Sequence, residues 1–154
     1  MVTRVRRLAH LRPDPPERMP VSAPCIFCSI AAGEAPAQVV HSDEQAVAFL
    51  DISPATTGHT LVIPRRHVDG LLDAGGAYAQ IGPAIEATGA LLVERLGADG
   101  INVFQSTGRA AGQVVFHLHV HLLPRWNGDG LLSLHSLRVG LREDRDTTFA
   151  RLVG

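Results

Sequence analysis

The chain has 154 residues, 45% of them hydrophobic, with fourteen basic and fifteen acidic side chains and a formal charge of −1. That length suits one domain with a core of its own, and the composition excludes both wholesale disorder and a strongly basic nucleic-acid binder. Every basic residue is Arg, which excludes a lysine nucleophile or Schiff base and leaves eight His and two Cys as candidates for chemistry.

Residues 1–23 hold four Arg before position 13 and then Pro13-Asp14-Pro15-Pro16-Glu17, with no apolar segment of the signal-peptide kind. They read as a Pro- and Arg-rich disordered extension, or as the product of a start codon assigned too early. No run of about 18 apolar residues predicts a membrane span, and a cytoplasmic protein is the default expectation. Two Cys cannot build a multi-bridge secreted framework. Cys25-Ile26-Phe27-Cys28 is therefore a redox pair or half of a metal site.

The folded part, 24–154, opens with a short helix over 25–32 closed by Gly33. Short β-rich runs follow at 38–41 and 45–51, split by Ser42-Asp43-Glu44. A loop from Ser53-Pro54 ends at Gly58, and an apolar strand over 59–64 stops at Pro64. The spacing of Ile81, Ala84, Ile85, Leu91, Leu92 and Leu96 predicts the main helix over 77–96, with Pro83 in its first turn or at a kink and Gly97 as its stop. Strands are expected at 100–105 and 114–123, joined by a Gly-containing loop over 107–113. A less defined apolar stretch covers 131–139, and a last short helix 147–152. Five strands with one main helix and a short N-terminal helix spell an α+β protein with an antiparallel sheet.

The informative segment is Phe116-His117-Leu118-His119-Val120-His121-Leu122-Leu123. With strand period two, His117, His119 and His121 share one face, and Leu118, Val120 and Leu122 share the other. Same-face neighbours lie about 6.5–7 Å apart, so three imidazoles converge on one small ligand or ion. A water-facing strand is better served by Ser, Thr or Lys. Two functional readings remain open: a metal site built from imidazoles, or a histidine nucleophile flanked by imidazoles that orient it and bind a phosphate.

Residues 117–123 match at every position the His-φ-His-φ-His-φ-φ signature (φ apolar) of the histidine triad (HIT) superfamily, which the chain resembles. Further segments resemble the family in order: Cys25-Ile26-Phe27-Cys28 with Gly33-Glu34, Ala48-Phe49-Leu50-Asp51-Ile52-Ser53-Pro54, Gly58-His59-Thr60-Leu61-Val62-Ile63-Pro64 with Arg65-Arg66-His67, and Gly108-Arg109-Ala110-Ala111-Gly112-Gln113. The resemblance covers about residues 24–126 and implies a homodimeric nucleotidyl hydrolase or transferase with a five-stranded antiparallel sheet. The reaction it implies is cleavage at the α-phosphorus of a purine nucleotide, with no nucleic-acid polymer or membrane as partner and no cofactor for catalysis. By position, His119 would be the nucleophile, His121 a phosphate contact and His117 its triad neighbour. Asp51 would hold the ribose hydroxyls and Ile52 line the base or ribose pocket. Ser106, Gly112 and Gln113 would face the phosphate, Gln113 as a donor.

Among bacterial members with C-x-x-C, the resemblance further implies a structural zinc on Cys25, Cys28, His59 and His117, a closed tetrahedral set. His41 is a rival to His59. His67 is expected to cap its strand end or face solvent, and His10 and His135 to be exposed. Two departures stand out: Ser106 where many members carry Asn, and Val114 where many carry Ser or Thr. They favour an alternative reading, a nucleotide-binding regulatory protein with little turnover. A third reading makes the triad the ligand set of a zinc-dependent hydrolase. Trp126, just past the triad strand, packs at the leaving-group end or serves as an interface or core aromatic.

Overall fold

The computed structural model describes residues 25–131 and 144–153. The expectations for the extension 1–23, for His10 and His135, and for nearly all of the stretch 131–139 lie outside the described residues. Helix α1 (Ile26–Ala32) leads into β1 (Val39–Ser42), β2 (Ala46–Leu50) and β3 (Thr60–Pro64). Helices α2 (Ala77–Gln80) and α3 (Gly82–Leu96) follow, then β4 (Gly100–Phe104), β5 (Val120–Arg125) and α4 (Arg145–Val153). The strands form one antiparallel sheet in the order β1-β2-β3-β5-β4, as the α+β reading expects.

The sheet has two covered faces. Ala46, Ala48, Val62, Leu118, Val120 and Leu122 pack with Ile81, Ala84 and Leu92 from the α2–α3 side. Val47, Phe49, Leu61 and Ile63 pack with Phe27 and Ala31 of α1 on the other. Burial on both faces explains why β2 and β3 read as continuous apolar runs and not as alternating ones. Because α1 is only seven residues long, it covers part of its face and leaves room beside it.

Two elements differ from expectation. The helix predicted over 77–96 is two helices, because Pro83 cannot continue a hydrogen-bond ladder from the preceding turn and sits in the first turn of α3. The strand predicted over 114–123 enters the ladder only at Val120 and runs on to Arg125. Its register against β3 pairs Leu61 with His121 and Val62 with Val120, so Leu118 would meet Pro64, which has no N–H to give. The carbonyl of Pro64 is taken by a histidine ring, and Leu118 N–H donates instead to Val68 O at 2.7 Å. At the other end Pro124 is tolerated inside β5. Its carbonyl accepts from Thr56 Oγ1 at 3.2 Å, on the side where β3 has ended and no ladder N–H is required.

Gly97 closes α3 in the left-handed conformation, as expected, and Trp126 Nε1–H donates to its carbonyl at 2.9 Å. Trp126 thus ties the end of β5 to the end of the main helix. No helix among the described residues is long and apolar enough to cross a membrane.

Candidate active site and metal cluster

The alternation expected of the triad holds although two of its residues precede the ladder. Leu118, Val120 and Leu122 are fully buried in the α3-side core, and the three imidazoles emerge on the α1 side. There Phe27 meets His117 and His119 edge-on, at centroid distances of 5.9 and 5.3 Å.

Each ring has its proton placed by a neighbour. His119 is buried, and its Nδ1–H donates to the His117 carbonyl at 2.6 Å. In the neutral ring that leaves Nε2 as a bare lone pair, the atom a nucleophile needs. His121 is held the opposite way. The amide of Ala55 donates to His59 Nδ1 at 3.2 Å, so the His59 proton is on Nε2 and donates to His121 Nδ1 at 2.9 Å. The His121 proton is thereby on Nε2, making this ring a donor. The two rings lie 5.0 Å apart, centroid to centroid. Burial, with the neighbouring His119 and His59 rings, pushes His121 down to about 4, only partly offset by Asp51. Burial lowers His59 as well, with Asp51 opposing. Both rings are neutral near pH 7.

The residues expected to meet a nucleotide at the end of β2 form a second wall. Asp51 Oδ2 lies 3.7 Å from His59 Nε2, and Oδ1 accepts the Ser53 amide at 2.7 Å, which fixes the carboxylate at the end of β2. A cavity of about 410 Å³, lined by Gln38, Leu50, Asp51, Pro54, Thr56–Gly58 and His59, opens beside them. That volume lies within the range of small-ligand sites. Ile52, next to Asp51 in sequence, is 99% exposed and is not among the residues that line this cavity.

The loop over 105–113 is more self-contained than expected. Gln113 Oε1 accepts the Gly108 amide at 2.7 Å, and Nε2 donates to Asp69 O at 2.6 Å and Val115 O at 3.1 Å. Its whole carboxamide is engaged in holding the loop, and it carries no spare donor. Ser106 presents its carbonyl to Gln105 Nε2, and Gly112 closes a short 3-10 turn, Arg109–Ala111, with φ of +87°. Val114 is 85% exposed.

The metal cluster corrects one expected ligand. Cys25, Cys28, His67 and His117 offer ligand atoms within 4.8 Å of one another, and His59 is not among them. The reason is register. Residues on β3 and β5 pair so that their numbers sum to 182; continued past the strand ends, that register puts His59 opposite Leu123, diagonal to His121 on the same face, and brings the segment after Pro64 to His117. His67 therefore stands in the cluster where His59 was expected. The pairing register was the missing information; spacing along the chain does not contain it. His41, the rival ligand, pairs with Asp43 at 3.1 Å.

Proton placement separates this cluster from the neighbouring one of Asp51, His59 and His121, which also meets the spacing for a metal. His117 Nε2–H donates to Pro64 O at 2.9 Å, leaving Nδ1 3.5 Å from both sulfurs. His67 Nε2–H donates to Asp69 Oδ1 at 3.0 Å, leaving Nδ1 3.2 Å from Cys28 Sγ. Both bare nitrogens face the thiols, with acceptors behind them that orient each ring, as metal-binding histidines require. Burial and the adjacent Cys25 sulfur push the Cys28 thiol up to about 11; a cation between the two would reverse that cost. In the other cluster the His59 Nε2 carries a proton, so that cluster is a hydrogen-bond chain.

The HIT domain family model matches residues 32–128. A zinc-bound histidine triad family protein from Mycobacterium smegmatis is 43% identical, with a TM-score of 0.67 over 70% of this chain and 79% of that one. A Streptococcus mutans structure is 37% identical, with a TM-score of 0.73 over 99% of this chain and 94% of that one. An adenylylsulfatase of Arabidopsis thaliana is 35% identical over 115 residues, 74% of this chain and 58% of that protein. The chain belongs to the histidine triad family, a superfamily of nucleotide-binding and hydrolase proteins.

Proposed function

We propose that the protein is a nucleotidyl hydrolase or transferase. It would act at the α-phosphate of AMP conjugates, purine nucleoside phosphoramidates or dinucleoside polyphosphates, through a covalent intermediate on His119. The observation that carries this reading is the opposite proton placement on two adjacent rings: a bare Nε2 on His119 beside an Nε2–H on His121. A nucleophile and a donor side by side are what displacement at phosphorus asks of a protein, since such reactions depend on positioning and charge stabilisation. His119 Nε2 attacks phosphorus, and the bond to the leaving group breaks with its electron pair on that group, which takes a proton from solvent. Meanwhile His121 Nε2–H supports a phosphate oxygen. Water then attacks the nucleotidyl-histidine, losing its proton to solvent, and releases AMP with the imidazole restored.

Asp51 accepts from the ribose hydroxyls, as carboxylates do in other nucleotide sites. The exposed Ile52 packs under the base. The likeness to an adenylylsulfatase supports the same adenylyl group with another leaving group. Cys25, Cys28, His67 and His117 would hold a zinc ion that cross-links α1 to the triad and supplies no chemistry, since a four-ligand set has no open position. Paired thiols suit a reducing compartment such as the cytoplasm. The apolar edge of β4, with Val103 and Phe104 exposed, supports a homodimer.

Mixing the protein with an AMP phosphoramidate or a diadenosine polyphosphate, then measuring intact mass, is expected to show an AMP adduct that His119→Ala lacks, and turnover at least about a thousandfold above that variant. Full turnover by His119→Ala would sink the reading. Tight AMP binding with neither adduct nor turnover would favour the regulatory alternative, for which the missing hydroxyl at Val114 speaks.

A further inference from the structure

The ring of Phe104 lies flat on that of His121, with centroids 4.5 Å apart and planes 10° from parallel. The contact is set by the backbone, since Phe104 faces His121 directly across the β4–β5 ladder. Phe104 is 41% exposed on the edge strand of the sheet. Core filling therefore does not account for an aromatic there; a dimer contact along the β4 edge would account for an apolar side chain at this position, but not for a ring laid flat on His121.

The geometry of His121 shows what a flat wall accomplishes. The hydrogen bond from His59 fixes one ring atom, Nδ1. One fixed atom leaves the plane of an imidazole free to swing, because this terminal torsion is broad. The rings of His119, at 5.0 Å and 67°, and His59, at 5.1 Å and 35°, lie against it at an angle. Phe104 supplies the near-parallel contact, a flat wall against one face.

We propose that Phe104 is a positioning residue: its ring fixes the plane of His121, so that the Nε2–H is aimed at the phosphate. The inference rests on the nucleotidyl-transfer reading for its consequence, while the placement of His121 is tested without substrate. Long-range ¹H–¹⁵N spectra of the histidine rings in the full chain, with His121 assigned from His121→Asn, report the tautomer directly. The wild-type ring is expected in the Nε2–H form. Phe104→Leu is expected to shift it toward a mixture of tautomers, Phe104→Val likewise, and Phe104→Tyr to restore the wild-type spectrum. On an AMP phosphoramidate, Phe104→Leu is expected to lower kcat about tenfold with KM changed less than about twofold, and Phe104→Tyr to retain kcat.

A His121 spectrum unaltered in both Phe104→Leu and Phe104→Val overturns the proposal, as does an altered spectrum with unchanged kcat. A wild-type protein inert toward AMP conjugates would instead remove the nucleotidyl reading, and the spectra alone would then decide the role of Phe104.

Discussion

His59 and His67 have the same chemistry and stand eight positions apart, yet they serve different clusters. The distinction turns on which nitrogen is bare. His67 turns an unprotonated Nδ1 to Cys28, whereas His59 turns a protonated Nε2 to His121. Metal analysis of purified variants is expected to show His67→Ala with at least a tenfold weaker hold on zinc and His59→Ala with wild-type zinc content. Zinc loss from His59→Ala instead would restore the ligand set first expected. That Cys25, Cys28 and His117 belong to one cluster was legible from residue type, spacing and resemblance. His59 was misassigned because a ligand set spread over three elements depends on pairing register. The proton on His121 was legible only as a possibility, since the Ala55 amide that sets the chain is invisible in sequence.

At the scale of elements, α1 is where the thiol–imidazole cluster and the histidine triad meet. Phe27 stands between Cys25 and Cys28 and packs on Phe49, His117 and His119. Arg65 braces the same helix from the end of β3, donating from Nη1 to Ala31 O in the last turn of α1, from Nε to Asp43 O at 2.7 Å and from Nη2 to Ser42 Oγ at 2.6 Å. Removing the ring leaves a void bounded by a sheet that cannot collapse. Phe27→Ala is expected to cost about 3–5 kcal/mol in chemical denaturation; a loss under about 1 kcal/mol would show that α1 is not docked as described. The strands were readable from apolar runs bounded by Pro, Gly and Asp. The true start of β5 was not, because it is set by the missing N–H of Pro64 on a neighbouring strand. The break between α2 and α3 was written in Pro83, whose two permitted readings needed the structure to separate.

Across the described residues, the sheet carries an ordinary apolar core on its α3 side, and on its α1 side a smaller apolar cluster beside a group of imidazoles. That asymmetry makes stability depend on acid. His59 and His121 are lowered in the folded state, so below about pH 6.5 the unfolded chain takes up protons that the folded one resists. Their contribution is complete above pH 6.5 and falls as pH drops, for His121 down to about 4. The urea midpoint is expected to fall steadily between pH 7.5 and pH 4.5 in wild type, and less steeply in His121→Asn. A flat or rising midpoint in the wild type would contradict neutral burial of these rings. The α+β class and the five strands were legible because periodicity and punctuation are local. Which face of the sheet holds which histidine was legible from alternation alone.

β3 is buried at every one of its five positions, with His59 just before it and His67 just after. It acts as a stiff spacer between two centres with no ligand atom in common: Ala55, His59 and His121 at one end, the thiols with His67 and His117 at the other. Structure and chemistry are thus separable inheritances. A lineage that traded both cysteines for apolar residues would lose the thiol–imidazole cluster and keep the proton arrangement on His121 whole.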